Sequence, residues 1–198
     1  MKTRTLHRFI GLIMLLPFIG WAITGAIFFL KPGYAGAYEL LQVKTYPLES
    51  QTVIKPQNDW LEARLVKTIL GEHLLVRTAQ GARHLDPQTL APRNEPTEDE
   101  IQKLLSDALQ INPSRYGHIN KIEGKQITTD TGVRVTLNWE RLTLTQRGAD
   151  TDRIDWFYKI HYLQWTGIAL LDKTLGAVGI ALVVILSLLG LRLFFRRG

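Results

Sequence analysis

The sequence predicts an α+β membrane protein: two transmembrane helices flanking a small domain in which one helix lies on an antiparallel sheet. Three observations predict it. Phe9–Leu30 is 22 residues without a charge, and Thr174–Leu191 is another 18. The basic excess of the chain sits at its two ends, and the polar stretch between the apolar segments shows first helical and then alternating periodicity.

At about 1.5 Å per residue, a helix over Phe9–Leu30 covers about 33 Å, enough for a hydrocarbon core of about 30 Å. In the second segment Arg192 can snorkel, so Leu193, Phe194 and Phe195 extend the span toward the headgroups. Pro17 removes one backbone hydrogen bond in the first span and predicts a kink. The rival reading of the first segment is a cleaved signal peptide, with Ala35-Gly36-Ala37 as the cleavage site. An apolar run longer than the usual h-region of about 7–15 residues favours a retained anchor.

The 198 residues include 24 Lys and Arg against 18 Asp and Glu, a formal charge of +6. Residues 32–171 hold 16 bases and 17 acids, so the middle is neutral and a nucleic-acid reading is dropped. Basic clusters at both ends place both termini in the cytoplasm and the central domain outside it. Tyr34, Tyr38, Trp156, Tyr158, Tyr162 and Trp165 form an aromatic belt at the opposite interface. The absence of cysteine excludes disulfides, thiolate metal sites and thiol nucleophiles.

The expected order is a cytoplasmic N-terminus over 1–8, the first span over 9–31, an extended Pro-containing connector over 32–58 and the domain over 59–150. An interfacial amphipathic helix over 151–172, the second span over 173–195 and a cytoplasmic C-terminus over 196–198 follow. Within the domain, Thr97-Glu98-Asp99-Glu100 is a capping box opening a helix whose apolar face is Ile101, Leu104, Leu105, Ala108 and Leu109. Asn112-Pro113 ends it. Val133, Val135, Leu137 and Trp139 alternate as a strand after the Asp130-Thr131-Gly132 turn, with Leu142 and Leu144 on its partner. Trp60–Leu70 fits a helix or a strand. A regular hairpin at Gln80-Gly81 sets His84 opposite Arg77 and away from His73. In 151–172, Ile154, Phe157, Tyr158, His161, Trp165 and Ile168 share one helical face, and Asp155 and Lys159 form an i, i+4 pair on the other.

Leu6-His7-Arg8-Phe9-Ile10-Gly11 followed by Thr24-Gly25-Ala26 resembles the first span of PepSY-associated transmembrane proteins, with its LHRxxG and TGxxx signatures. Arg153–Trp165 resembles the segment that returns such chains to the membrane, and His84–Leu90 after a hairpin looks like a diverged PepSY unit. The resemblance implies a bacterial inner-membrane protein with a periplasmic domain, tied to iron or siderophore uptake. Some larger four-span members are haem-containing reductases, whereas this chain has two spans. It also offers His7 and His161 as haem b ligands. The two lie at opposite membrane faces, roughly 30 Å apart, so one iron cannot bridge them within a chain. A symmetric dimer pairs each with its mate.

No catalytic motif is present: there is no HExxH, GxSxG or Gly-rich phosphate loop, and His73, His84 and His118 lack metal spacing. No cofactor and no metal are expected apart from that haem. Gly20 with Thr24, and Ala177 with Ala181, are small-xxx-small pairs for helix packing, either with each other's helix or with a partner. The expected partners are membrane lipid and another membrane protein or a second copy. The leading expectation is a non-catalytic accessory or regulatory subunit of a larger membrane assembly in redox or iron uptake. The alternatives are a dimeric haem b electron-transfer or siderophore-reductase component, and a module that binds and regulates a periplasmic peptidase.

Overall fold

A computed structural model describes residues 3–49 and 53–195. Met1, Lys2 and residues 196–198, the expected cytoplasmic C-terminus, lie outside the described residues, as do residues 50–52 of the connector. The chain divides into two compact units, residues 1–35 with 150–198, and residues 36–149.

The first unit is helical. Helix α1 (Thr3–Leu30) runs unbroken through Pro17, and α2 (Tyr34–Ala37) is a single turn after it. Helix α5 (Ala149–His161) precedes α6 (Ala169–Phe195). α1 and α6 are both long and apolar enough to cross a bilayer, and few of their residues are buried. The interfacial helix expected over 151–172 therefore stops at His161. Gln164 N–H donates to Lys159 O at 2.8 Å and Leu163 N–H to Ile160 O at 3.2 Å, the paired bonds of a Schellman ending. Its left-handed residue is Leu163, with φ +56°, where glycine is usual. Leu163 is buried, and its Cδ1 lies 2.8 Å from where a Cβ on Gly179 of α6 would stand. Packing into that glycine gap offsets a backbone cost of about 1–2 kcal/mol. Trp165 and Ile168, assigned to the helical face by periodicity, fall in the following loop and are exposed.

The second unit is α+β. Strands β1 (Trp60–Thr68), β2 (Gly71–Thr78) and β3 (Gly81–Leu85) form one antiparallel sheet. β4 (Ile119–Glu123), β5 (Gln126–Thr129), β6 (Arg134–Asn138) and β7 (Thr143–Arg147) form a second. Between them in sequence lie α3 (Glu98–Leu109) and the short α4 (Pro113–Tyr116). Trp60–Thr68 is thus a strand, and the expected single sheet is two.

The capping box at α3 is formed: Glu100 N–H donates to Thr97 Oγ1, and Thr97 N–H donates to the Glu100 carboxylate at 2.8 Å. Its five apolar residues are all buried, sharing a core with Ile127, Val135, Leu137 and Trp139 of the second sheet. The first sheet lends Val66 and Leu75 to that core from one face. Its other face packs Leu74, Val76 and Leu85 against Ile54, Trp60 and Leu90.

The connector is anchored as it runs: Leu41 and Val43 enter the core, and Tyr46 N–H donates to Lys67 O at 2.8 Å. Ahead of them, Glu39 accepts from the Tyr116 hydroxyl at 2.8 Å. Burial and that carboxylate push the Tyr116 phenol up to about 12.

Candidate functional site

His161, the last residue of α5, is held against α1 by a set of directional bonds. The Thr24 hydroxyl donates to Gly20 O at 2.6 Å, so its proton is committed. The 2.9 Å contact between Thr24 Oγ1 and His161 Nδ1 therefore has the imidazole as donor. Trp21 Nε1–H donates to His161 O at 2.7 Å. Phe28 meets the imidazole edge-on at 5.1 Å between centroids and stacks on Tyr158 at 4.6 Å. With Nδ1 protonated, Nε2 of a neutral His161 carries the lone pair, and no other described residue bonds to it. An imidazole oriented through one nitrogen and open at the other is the arrangement that metal-ligating histidines use.

His7 sits at the other end of α1. Its Cε1 lies 3.4 Å from where a Cβ on Gly190 of α6 would stand, and its Nδ1 is buried without a hydrogen-bond partner. His7 and Thr24 are separated by about 26 Å of helix rise. The two imidazoles of one chain do not fit one haem, because the iron needs both axial ligands within bonding distance.

Of the residues expected to pack helices, Gly20 and Thr24 do so against α5: a Cβ on Gly20 would stand 3.5 Å from Ile160 Cγ2, and Thr24 meets His161. Ala177 and Ala181 point outward and are exposed. The close approaches of α6 to the rest of its unit fall instead at Gly179, Gly190 and, through Leu186, at Gly11 of α1.

The second unit holds a histidine pair that the sequence argument separated. Thr78 pairs with Gly81, so Ala79-Gln80 is the turn and His84 faces Leu75 rather than Arg77. Gly81, with φ +141°, opens β3 instead of sitting in the turn, which shifts the register. His73 is then the diagonal neighbour of His84, and the two nitrogens are 2.9 Å apart.

The polarity of this chain of bonds follows from its ends. Trp139 O only accepts, so His84 donates to it from Nδ1 at 2.8 Å. His84 Nε2 then accepts from His73 Nδ1, and His73 Nε2 accepts the Thr68 hydroxyl proton at 2.7 Å. Burial drives the His73 imidazolium pKa down to about 3, with Arg93 and His84 adding to the effect, and burial lowers that of His84. All four ring nitrogens are occupied, so the pair reads as a buried polar bolt between the two sheets. Among the described residues, no group of three or more His, Cys, Asp or Glu converges as metal ligands would.

The family model described as the PepSY-associated TM region matches residues 1–197. The chain belongs to this family. No curated protein and no solved structure matches. Membership and the two apolar helices make this PepSY-associated chain a membrane protein whose helices contact lipid. His7 lies in the opening turns of α1 and His161 at the end of α5.

Proposed function

We propose that this PepSY-associated protein is a non-catalytic accessory or regulatory subunit of a larger assembly in the bacterial cytoplasmic membrane. Both termini lie in the cytoplasm and residues 36–149 on the outer face. The observation that carries the proposal is the incompleteness of the helical unit. Only Ile10, Met14 and Thr24 of α1, and Asp172 and Gly179 of α6, are buried. The small residues Ala177 and Ala181 stay uncovered on α6, a surface on which another helix can approach closely. The choice of redox or iron and siderophore uptake machinery rests on the family resemblance alone.

The test is purification of the full chain in mild detergent from its native membrane, with the mass of the particle and the identity of co-eluting proteins measured. A larger membrane protein that co-elutes with the wild type and is lost from Ala177→Phe/Ala181→Phe supports the reading. A monomer from gently solubilised membranes sinks it.

The free Nε2 of His161 favours a second reading, a haem b protein completed by a second copy. A haem iron bound there would carry electrons, while Thr24 holds the imidazole and Trp21 the His161 carbonyl. A reduced-minus-oxidised spectrum of the purified protein decides: a b-type spectrum that disappears in His161→Ala supports this reading, and a colourless dimer removes it.

A further inference from the structure

The opening turns of α1 place Arg4, His7 and Arg8 on one face, at the spacing of helical neighbours. This is an unfavourable arrangement as it stands. Two like charges one turn apart repel, and both lie near a helix N-terminus, whose partial charge is already positive. Neither guanidinium has a carboxylate partner among the described residues. Residues 1–30 contain no acid, and neither do residues 173–198. α1 therefore holds no acid, and the one acid of α6, Asp172, lies in its first turn, at the far end from the cleft.

The same residues line a cleft of about 750 Å³ between the N-terminal turns of α1 and the C-terminal turns of α6. Its other wall is apolar, with Phe194 and Phe195 both more than two-thirds exposed. Gly190 lies beside His7, where an added Cβ would stand in contact with the imidazole, 3.4 Å from its Cε1, and a longer side chain would take up cleft space. Cations on one wall and uncovered aromatic rings on the other match a molecule with an anionic head and a hydrocarbon tail. Basic pockets between transmembrane helices recognise anionic lipid headgroups on this physical basis.

We propose that this cleft binds one anionic phospholipid, its phosphate between Arg4 and Arg8 and an acyl chain along Phe194 and Phe195. Arginine suits the role because its planar fork donates two hydrogen bonds to one phosphate. Binding would cancel the repulsion between the two guanidiniums and would tie the start of α1 to the end of α6.

The test is native mass spectrometry of the full-length protein in detergent, with phosphatidylglycerol or phosphatidylcholine of matched chains added. The expected result is one phosphatidylglycerol retained in preference to phosphatidylcholine. Arg4→Gln/Arg8→Gln should weaken retention about thirtyfold, from the loss of two cations facing an anionic headgroup. Gly190→Leu keeps both charges and fills the cleft, so it should weaken retention as well, which separates a shaped site from a diffuse field. Arg192→Gln, outside the cleft, should leave retention unchanged. Equal retention of both lipids, or retention indifferent to Arg4→Gln/Arg8→Gln, overturns the proposal. So does an equal loss from Arg192→Gln. Displacement of the lipid by inorganic phosphate would also overturn it, reducing the cleft to a simple anion site.

Discussion

His73 donates a hydrogen bond from Nδ1 to Nε2 of His84 across 2.9 Å, inside the second unit. His84 passes the polarity on to Trp139 O, and Thr68 supplies the proton at the other end. A second N–H on His84 would point at the Nδ1 proton of His73, and a second N–H on His73 requires the Thr68 hydroxyl to turn from donor to acceptor. Protonation therefore disrupts the chain and sets a cation beside Arg93, whose guanidinium donates to Leu70 O and Glu72 O. Glu95 is the acidic group that acts on His84 in the opposite sense.

The first prediction is a loss of stability on mild acidification. Both histidines have folded-state pKa values below the ordinary 6.5, so the native state binds fewer protons than the unfolded chain. Their contribution is complete above about pH 6.5 and falls as pH drops toward about 3, by about 1.4 kcal/mol per pH unit for each proton taken up on unfolding. The lowered carboxylates Asp86, Glu100 and Asp130 act in the same direction, but only below their ordinary 3.8–4.5. The window from pH 6.5 to 5 thus isolates the histidines. Denaturation followed by near-ultraviolet dichroism should show the loss, and His73→Gln should flatten it. A flat wild-type profile across that window would contradict the neutral buried pair.

How far the fold was legible depended on whether local chemistry agreed with the tertiary outcome. Thr97 and Glu100 cap α3 because both partners lie within four residues of each other. The alternation at Val133–Trp139 reads correctly because that strand buries one face only. Trp60–Leu70 was ambiguous since Leu61 and Ile69 are apolar yet exposed, which blurs the two-residue period. The histidine pair was missed because its register turns on one glycine standing at a strand start. The end of α5 was missed because Leu163 adopts a conformation that sequence assigns to glycine, supported by a residue 16 positions away. The Thr24 and Trp21 contacts that hold His161 are long-range and leave no local signal.

Thr24 and His161 should prove energetically coupled. Thr24→Val removes the hydroxyl and keeps the shape, and His161→Phe removes the donor and keeps the ring. Each should lower the reversible unfolding free energy in mixed micelles, and the double variant should lose less than the sum by about 1 kcal/mol, as for interhelical hydrogen bonds in membranes. Strict additivity would mean that the 2.9 Å contact carries no energy.

Two glycines in the helical unit make opposite predictions. A Cβ at Gly179 would stand 2.8 Å from Leu163 Cδ1, and Leu163 is the residue that ends α5. Gly179→Ala should therefore cost about 1–3 kcal/mol through overpacking. At Gly25 a Cβ meets nothing within 4 Å, so Gly25→Ala should be neutral or slightly stabilising, both variants being measured by reversible unfolding in mixed micelles. Equal effects at the two positions would remove the argument that Gly179 receives Leu163.

Asp107 fastens the connector to α3, and the costs of its variants should follow a definite order. Its carboxylate is buried and accepts the Tyr46 hydroxyl, 3.0 and 2.9 Å from its two oxygens, together with Lys44 Nζ at 3.0 Å. Lys44 is exposed, and its pKa is raised chiefly by the hydrogen bond to Asp107. An exposed ammonium contributes little, so Lys44→Ala should cost the least of the three. Tyr46→Phe deletes a donor to a buried charge and should cost about 1.5–3 kcal/mol. Asp107→Ala removes every one of these bonds and strands the Tyr46 hydroxyl, so it should cost the most. It should also expose residues 42–49 to protease before the rest of the unit unfolds, because Val43 and the Tyr46–Lys67 backbone bond then hold that stretch without any side-chain bond to α3. If Lys44→Ala proved the most damaging of the three, the connector would be held by surface charge rather than by the buried carboxylate.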